Sequence, residues 1–251
     1  MDKQGSKVVK LAELRWQQFR ELVPAEYDAV VIAIGTIEAH GAIPLGTDIF
    51  IPEYLAARLA EQLDIVLAPT VNYGVTRTML PYPGSHTVTS ATFTAYMSEI
   101  FEGFGRMGFR RLVVMNGHGG HLDELKQAAQ AAYRATGIFT VVLHWWLMAP
   151  EAGQEVYGGE GYHGAAEETA GVMVAAPHLV DKTALAPLKS ASYAPGVYYL
   201  PFPRPVSAKE TGGAMPDGDE SKARSYMALI ERKCLATVRD AFAGWREELK
   251  R

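Results

Sequence analysis

The chain has little of what marks secreted, membrane-embedded or nucleic-acid-binding proteins. A single cysteine, Cys234, stands among 251 residues, so no intrachain disulfide can form and a cytoplasmic address is the default expectation. No stretch approaches the ~18 consecutive apolar residues of a membrane span. Met1 to Lys10 are charged rather than forming an apolar core behind a basic start, so neither membrane insertion nor secretion is expected. An excess of one charge is missing too: 24 basic and 28 acidic residues leave a formal net charge of −4 with no long run of either sign. That balance argues against nucleic acid or an anionic membrane as the main partner. No repeat of fixed period and no low-complexity tract occurs, which sets aside solenoids and disordered tails.

What is present is a large apolar fraction, 48% of the residues, enough for one sizeable core and one domain spanning 1–251. Apolar residues at 11, 14 and 22 predict a helix that ends before Pro24. Ala29 to Ile34, Ile65 to Ala68, Arg110 to Met115 and Ile138 to Leu143 read as strands. The 3–4 spacing predicts helices over Ile51–Leu63, from Thr89 or Ser90 through Phe104, over Leu122–Ala135, from about Tyr162, and from Ser221 to about Glu248. Between them, 69–89 is a long loop dense in Pro, Gly and Thr, 151–161 reads as a Gly-rich loop, and 184–220 shows no regular element. Strands alternating with helices predict an α/β fold, a mostly parallel sheet covered on both faces. Ligands in such folds bind outside the carboxyl ends of the strands.

Chemistry gathers at those ends. After the first strand comes Gly35-Thr-Ile-Glu-Ala-His-Gly, then Leu45-Gly-Thr-Asp48. Glu38 and His40, two apart, project to one face of an extended chain, and Asp48 returns after the Gly- and Pro-punctuated loop. The third strand ends in Asn116-Gly-His-Gly-Gly-His121. This turn lacks the Gly-Lys-Ser/Thr ending of a P-loop and the glycine spacing of a dinucleotide fingerprint, so His118 and His121 favour metal or proton transfer over phosphate. His163, with Glu167 and Glu168 four and five residues on, forms a third group where a helix begins. Each residue alone reads equally well as a loop acid, a loop histidine or a helix-dipole glutamate. Together they are the hard and borderline donors that zinc, manganese and iron accept.

The three stretches in this order, Gly-Thr-Ile-Glu-Ala-His-Gly with Leu-Gly-Thr-Asp, Asn-Gly-His-Gly-Gly and His163-Gly-Ala-Ala-Glu-Glu-Thr169, resemble the creatininase (creatinine amidohydrolase) family. The resemblance covers about residues 26 to 176, and the turn around Gly212 to Lys222 is similar as well. It implies a three-layer α/β/α sandwich and a two-metal site. In that site Asp48 bridges, Glu38 and His118 complete one metal, and His40 with a glutamate completes the other. In creatininase that glutamate lies two residues after the histidine of the third-strand motif, where this chain has Gly120. Glu168 is the expected replacement, with Glu167 as the fallback. His121 departs too, standing where many relatives have Asn.

The resemblance further implies hydrolysis of a small amide or cyclic amide, with His163 in general acid/base work and Glu168 as both ligand and catalytic residue. Substrate contacts are expected from Ser85, His121, Trp145 and Tyr162, with Trp146, Arg77, His86 and Thr87 as further selectors. Relatives resembling this chain also deformylate a pyrimidine intermediate, process a peptide, or open a carbocyclic diketone such as an oxidised inositol by carbon–carbon hydrolysis. A homo-oligomer, commonly a hexamer, is implied, with 184–220 as a candidate contact. Readings of another class are a metal-free sugar- or nucleotide-binding module and a catalytically silent subunit.

Overall fold

Three six-residue segments build the centre of the protein: β1 (Ala29–Ile34), β3 (Arg111–Asn116) and β4 (Phe139–His144). The short β2 (Val66–Leu67) joins them in the order β2-β1-β3-β4, all parallel. The computed structural model describes residues 8–159, 161–185, 190–193, 198–201, 207–210 and 214–250. The strands read as unbroken apolar runs because both faces of a parallel sheet are covered. Register places Ile34 beside Asn116 and Asn116 beside His144, so the carboxyl ends of three strands finish level and the polar segments that follow share one edge.

On one face, Val30, Ile32, Leu112 and Val114 meet Phe93, Met97 and Phe101 of α3 (Ser90–Arg106) and Leu125, Ala128 and Ala132 of α4 (Leu122–Thr136). On the other, Val31, Ala33, Val113 and Met115 meet α2 (Thr47–Leu63), α6 (Ala166–Ala175) and α8 (Glu220–Gly244). The result is the three-layer α/β/α arrangement. Each fully buried side chain of the Phe101 or Leu55 kind contributes about 1.5–3 kcal/mol. Cys234 is buried in the second layer. No helix among the described residues is long and apolar enough to cross a membrane.

Several expectations need correction. The first helix splits into a 3-10 turn, Leu11–Glu13, and α1 (Trp16–Leu22). The stretch read as a Gly-rich loop over 151–161 is mostly α5 (Pro150–Tyr157), which has proline at its first position and ends at Gly158 with φ 74°. Residues 184–220 are not devoid of regular structure. The one-turn α7 (Lys182–Leu185) reaches into them, and β5 (Ser190–Tyr193) pairs in parallel with β6 (Ser207–Glu210). Residues 186–189, 194–197, 202–206 and 211–213 of the expected oligomer contact, Gly212 among them, lie outside the described residues. The helix after Thr89 forms as expected, its Thr89 side chain accepting the Thr92 N–H.

Candidate metal centre

The start of α2 sets the floor of the site. Sequence spacing places this helix from Ile51, with Pro52 in its first turn; it begins instead at Thr47, so Asp48 is a first-turn residue and not a loop acid. Pro52 has no N–H to give the Asp48 carbonyl four residues back. That carbonyl lies against the two strand-end glycines: a Cβ on Gly35 would be 2.2 Å from it and one on Gly117 2.0 Å. Only glycine at both positions lets α2 approach the ends of β1 and β3 closely enough to lodge the Asp48 side chain beside them.

Asp48 faces two imidazoles, one per oxygen. Its Oδ1 is 3.1 Å from His40 Nε2 and its Oδ2 2.8 Å from His118 Nδ1. Glu38 Oε1 stands 3.3 Å from His118 Nδ1, and Glu168 Oε2 3.7 Å from His40 Nε2. The far nitrogen of each ring is committed to the backbone: His40 Nδ1–H donates to Glu38 O (3.0 Å), His118 Nε2–H to Val75 O (3.0 Å) and His163 Nε2–H to Ala39 O (2.6 Å). A carbonyl can only accept, so the far nitrogen of each ring is an N–H and the other nitrogen is the one turned toward the carboxylates, the arrangement that orients metal-ligating histidines. Three groups of side chains bring ligand atoms within 4.8 Å of one another: Glu38/Asp48/His118, His40/Asp48/Glu168 and Glu38/His40/His163.

These donors are buried and mutually unsatisfied. Glu38 Oε2, His40 Nε2 and Asp48 Oδ2 have no hydrogen-bond partner, an arrangement that costs free energy unless a cation completes it. The charges are correspondingly displaced. Burial pushes Glu38 up, with Asp48 adding to the effect, and burial brings Glu168 up to about 7. Burial works against ionising Asp48, yet His40 and His118 hold it well below the usual carboxylate range. Burial likewise opposes protonation of His118, but Glu38 and Asp48 bring it up to about 9; Asp48 and Glu168 raise His40 well above its ordinary value against the same penalty. His163, by contrast, is driven down to about 3 by burial and by His40. Oxygen and imidazole donors in this density fit divalent cations of the zinc, manganese or iron kind.

Glu168 is anchored by the Gly164 N–H at 2.5 Å and reaches the His40 group, whereas Glu167 lines the cavity outside all three groups. Gly120 could not carry the creatininase glutamate: a Cβ there would lie 2.3 Å from Val75 O and 2.5 Å from His118 Nε2. The cavity over the cluster holds about 370 Å³ and is walled by Arg77, Met79, Trp146, Tyr162 and Tyr198. A second cleft of about 650 Å³, lined by Asp28, Arg110 and Arg111, lies where the strands begin and contains none of the ligand groups.

Of the four residues expected to contact substrate, Tyr162 alone lines this cavity. Trp145 is 1% exposed in the core; the 3-10 turn Trp145–Leu147 after β4 swings it inward and gives the wall to Trp146. Ser85 Oγ accepts the Ala39 N–H at 3.0 Å, bracing the Glu38–His40 segment from the long loop. His121 is wholly buried, stacked on Phe93 at 4.3 Å, with Nδ1–H donating to Asn116 Oδ1 and Nε2 accepting the Val75 N–H. Asn116 also receives the His118 N–H and donates to His118 O. Sequence reasoning missed Asn116 and Val75, the two groups that fix His118; no local pattern marks Val75, and Asn116 stood in the motif unassigned.

The family model described as creatinine amidohydrolase matches residues 12–238. The chain is 27% identical over 255 residues to creatinine amidohydrolase of Pseudomonas putida, covering 94% of this chain and 96% of that one. It is 33% identical over 109 residues to 3-dehydro-scyllo-inosose hydrolase of Thermotoga maritima, covering 41% and 33% of the two chains. The crystal structure of creatinine amidohydrolase superposes with a TM-score of 0.79 at 25% identity, covering 95% of this chain and 98% of that chain. Further creatininase structures are described as Mn and Zn-Zn forms, each at 26% identity with TM-scores of 0.77 and 0.76. They cover 96% and 97% of this chain and 99% of each neighbour.

Proposed function

The chain belongs to the creatininase family and is a metal-dependent hydrolase, and from that premise we propose that it holds two divalent cations and hydrolyses a small amide or cyclic amide. One observation carries the reading: the two oxygens of Asp48 face different imidazoles, Oδ1 toward His40 and Oδ2 toward His118. Glu38 and His118 complete one set and Glu168 with His40 the other. Zinc, manganese and iron suit both sets, and such cations supply a nucleophile at neutral pH together with Lewis-acid polarisation of a carbonyl.

The protein's own groups do the rest. Main-chain carbonyls of Glu38, Val75 and Ala39 lock the three rings in one tautomer each, so no reorientation is needed during turnover. His163, neutral and with Nδ1 3.5 Å from Glu38 Oε1, is the residue that accepts a proton at Nδ1 and returns it to the leaving nitrogen. Glu38 stabilises the imidazolium so formed. Glu168 contributes by holding the His40 set in place. A cavity of about 370 Å³ admits a small molecule, with Trp146 and Tyr162 among its walls. The catalytic unit spans 1–251 and assembles as a homo-oligomer.

The test is elemental analysis of bound metal in the purified protein and in Glu38→Ala and Asp48→Ala, with turnover assayed on lactams, formamides, short peptides and cyclic ketones after loading with zinc, manganese or iron. Both variants are expected to lose most of their metal; near-wild-type content in both sinks the proposal. Carbon–carbon hydrolysis of a cyclic diketone is the second reading, favoured by the match to the inosose hydrolase. Turnover of cyclic ketones with no turnover of amides selects it. A metal-free binding module fits poorly, since the near ring nitrogens of His40 and His118 face carboxylates rather than the open cavity.

A further inference from the structure

The cavity wall carries a positive side chain that the proposed chemistry does not use. Among the described lining residues Arg77 is the only arginine or lysine, set against Glu38, Asp48, Glu167 and Glu168. It is held rigidly. Nη1 donates to Gly120 O at 2.7 Å, and Nη2 pairs with the Glu124 carboxylate. Glu124 is itself 2% exposed and takes a second hydrogen bond, 2.6 Å, from Ser90 Oγ. Gly120 belongs to the turn that carries His118, so the guanidinium is fixed relative to the metal ligands through two anchors on two elements.

A guanidinium has five N–H donors in a planar fork. Two are engaged by these anchors, and the other three meet no acceptor among the described residues. Arg77 nevertheless keeps 41% of its side chain exposed, as part of the cavity wall. A residue serving only to staple the long loop to α4 needs neither the spare donors nor a place on the wall. A fork immobilised by a buried carboxylate has already lost its rotamer entropy, which is the condition for receiving an anion at little further cost.

We infer that Arg77 is the specificity-determining anion receptor of this site, and that the substrate carries a carboxylate separate from the carbonyl that is hydrolysed. The inference rests on the hydrolase reading above and deepens it by naming a substrate class: N-acyl amino acids and lactams bearing a free carboxylate. Neutral lactams and neutral formamides of the same size are the poorer substrates. The scissile bond and its chemistry are unchanged; Arg77 acts on binding.

The experiment uses matched compounds that differ only at the carboxylate: N-formylglycine against N-formylglycinamide, and 5-oxoproline against its amide. The zinc-loaded full-length protein, Arg77→Lys, Arg77→Met and the double variant Arg77→Met/Glu124→Gln are compared by steady-state kinetics and by calorimetric binding. The double variant leaves no buried carboxylate without its cation, so a fold defect in Arg77→Met is separable from loss of recognition. The wild type is expected to favour the carboxylate member of at least one pair by about tenfold or more, the scale of one charge-assisted contact. That preference should disappear from KM in both methionine variants and return in part with lysine. Equal affinity within both pairs in the wild type, absence of binding by every compound, or a preference that survives in the double variant overturns the inference. If the hydrolase reading alone fails, no compound is turned over while the calorimetric preference for the carboxylates persists.

Discussion

His118 shows how one side chain carries several consequences. In the metal-free protein Glu38 and Asp48 raise it to about 9, so at pH 7 both ring nitrogens hold protons and a cation must displace the one on Nδ1. Metal affinity is therefore expected to rise with pH from 7 to 9, with proton release on binding. Calorimetry in two buffers of different ionisation heat checks this, and a heat independent of buffer would contradict it. The sign for stability follows from the same shift. A raised histidine pKa stabilises the fold fully below about 6.5 and loses that contribution as pH rises through about 9. The metal-free protein should thus soften between those values and the metal-loaded protein should not. A second prediction separates neighbours: Glu168→Gln should remove about half of the bound metal, since only the His40 set depends on it, whereas Glu167→Gln should leave the metal content intact.

At the scale of elements, positions were legible where burial makes sequence redundant and obscure where two residues share a turn. The runs 29–34 and 111–116 announce themselves because every residue is apolar or at a strand end, and His40, His118 and the glutamates follow from where those runs stop. In sequence Asp48 reads as a loop acid because Pro52 points to a later helix start; the proline sits a turn further in, and its missing N–H belongs to the packing of the Asp48 carbonyl on Gly35 and Gly117. Trp145 and Trp146 could not be told apart, since adjacent residues of a 3-10 turn face different ways and nothing local says which way is in. α5 was hidden by Gly153, although Pro150 and Gly158 mark its ends. Gly117→Ala should push α2 off the strand ends, costing about 1–3 kcal/mol in urea unfolding together with most of the metal. Phe101→Ala, deep in the opposite layer, should cost about 3–5 kcal/mol with metal content retained. Equal metal loss in both variants would dissociate the glycine pair from the site.

Across the whole molecule, the proposed ligands are drawn from residues 38–48, 118 and 163–168, so occupied sites would tie α2 and α6 to the sheet edge. Chelation should accordingly lower the thermal midpoint. A cation present at a thousandfold over its dissociation constant stabilises by about 4 kcal/mol, which for a chain of this length corresponds to roughly 10 °C. Differential scanning fluorimetry with and without chelator measures it, and an unchanged midpoint speaks against cations that tie these helices to the sheet edge. The three-layer plan was visible in the alternation of strands and helices; the cavity walls were not, because they come from loops whose side chains are selected by tertiary position. The absence of room at Gly120 has a further effect, in time rather than in space. On the proposed assignment of the last ligand to Glu168 instead of the third-strand turn, the Glu38/Asp48/His118 set is complete in the chain once residue 118 has been synthesised, while the His40 set must wait for α6. On the proposed two-cation reading, uptake is expected to follow that order of synthesis.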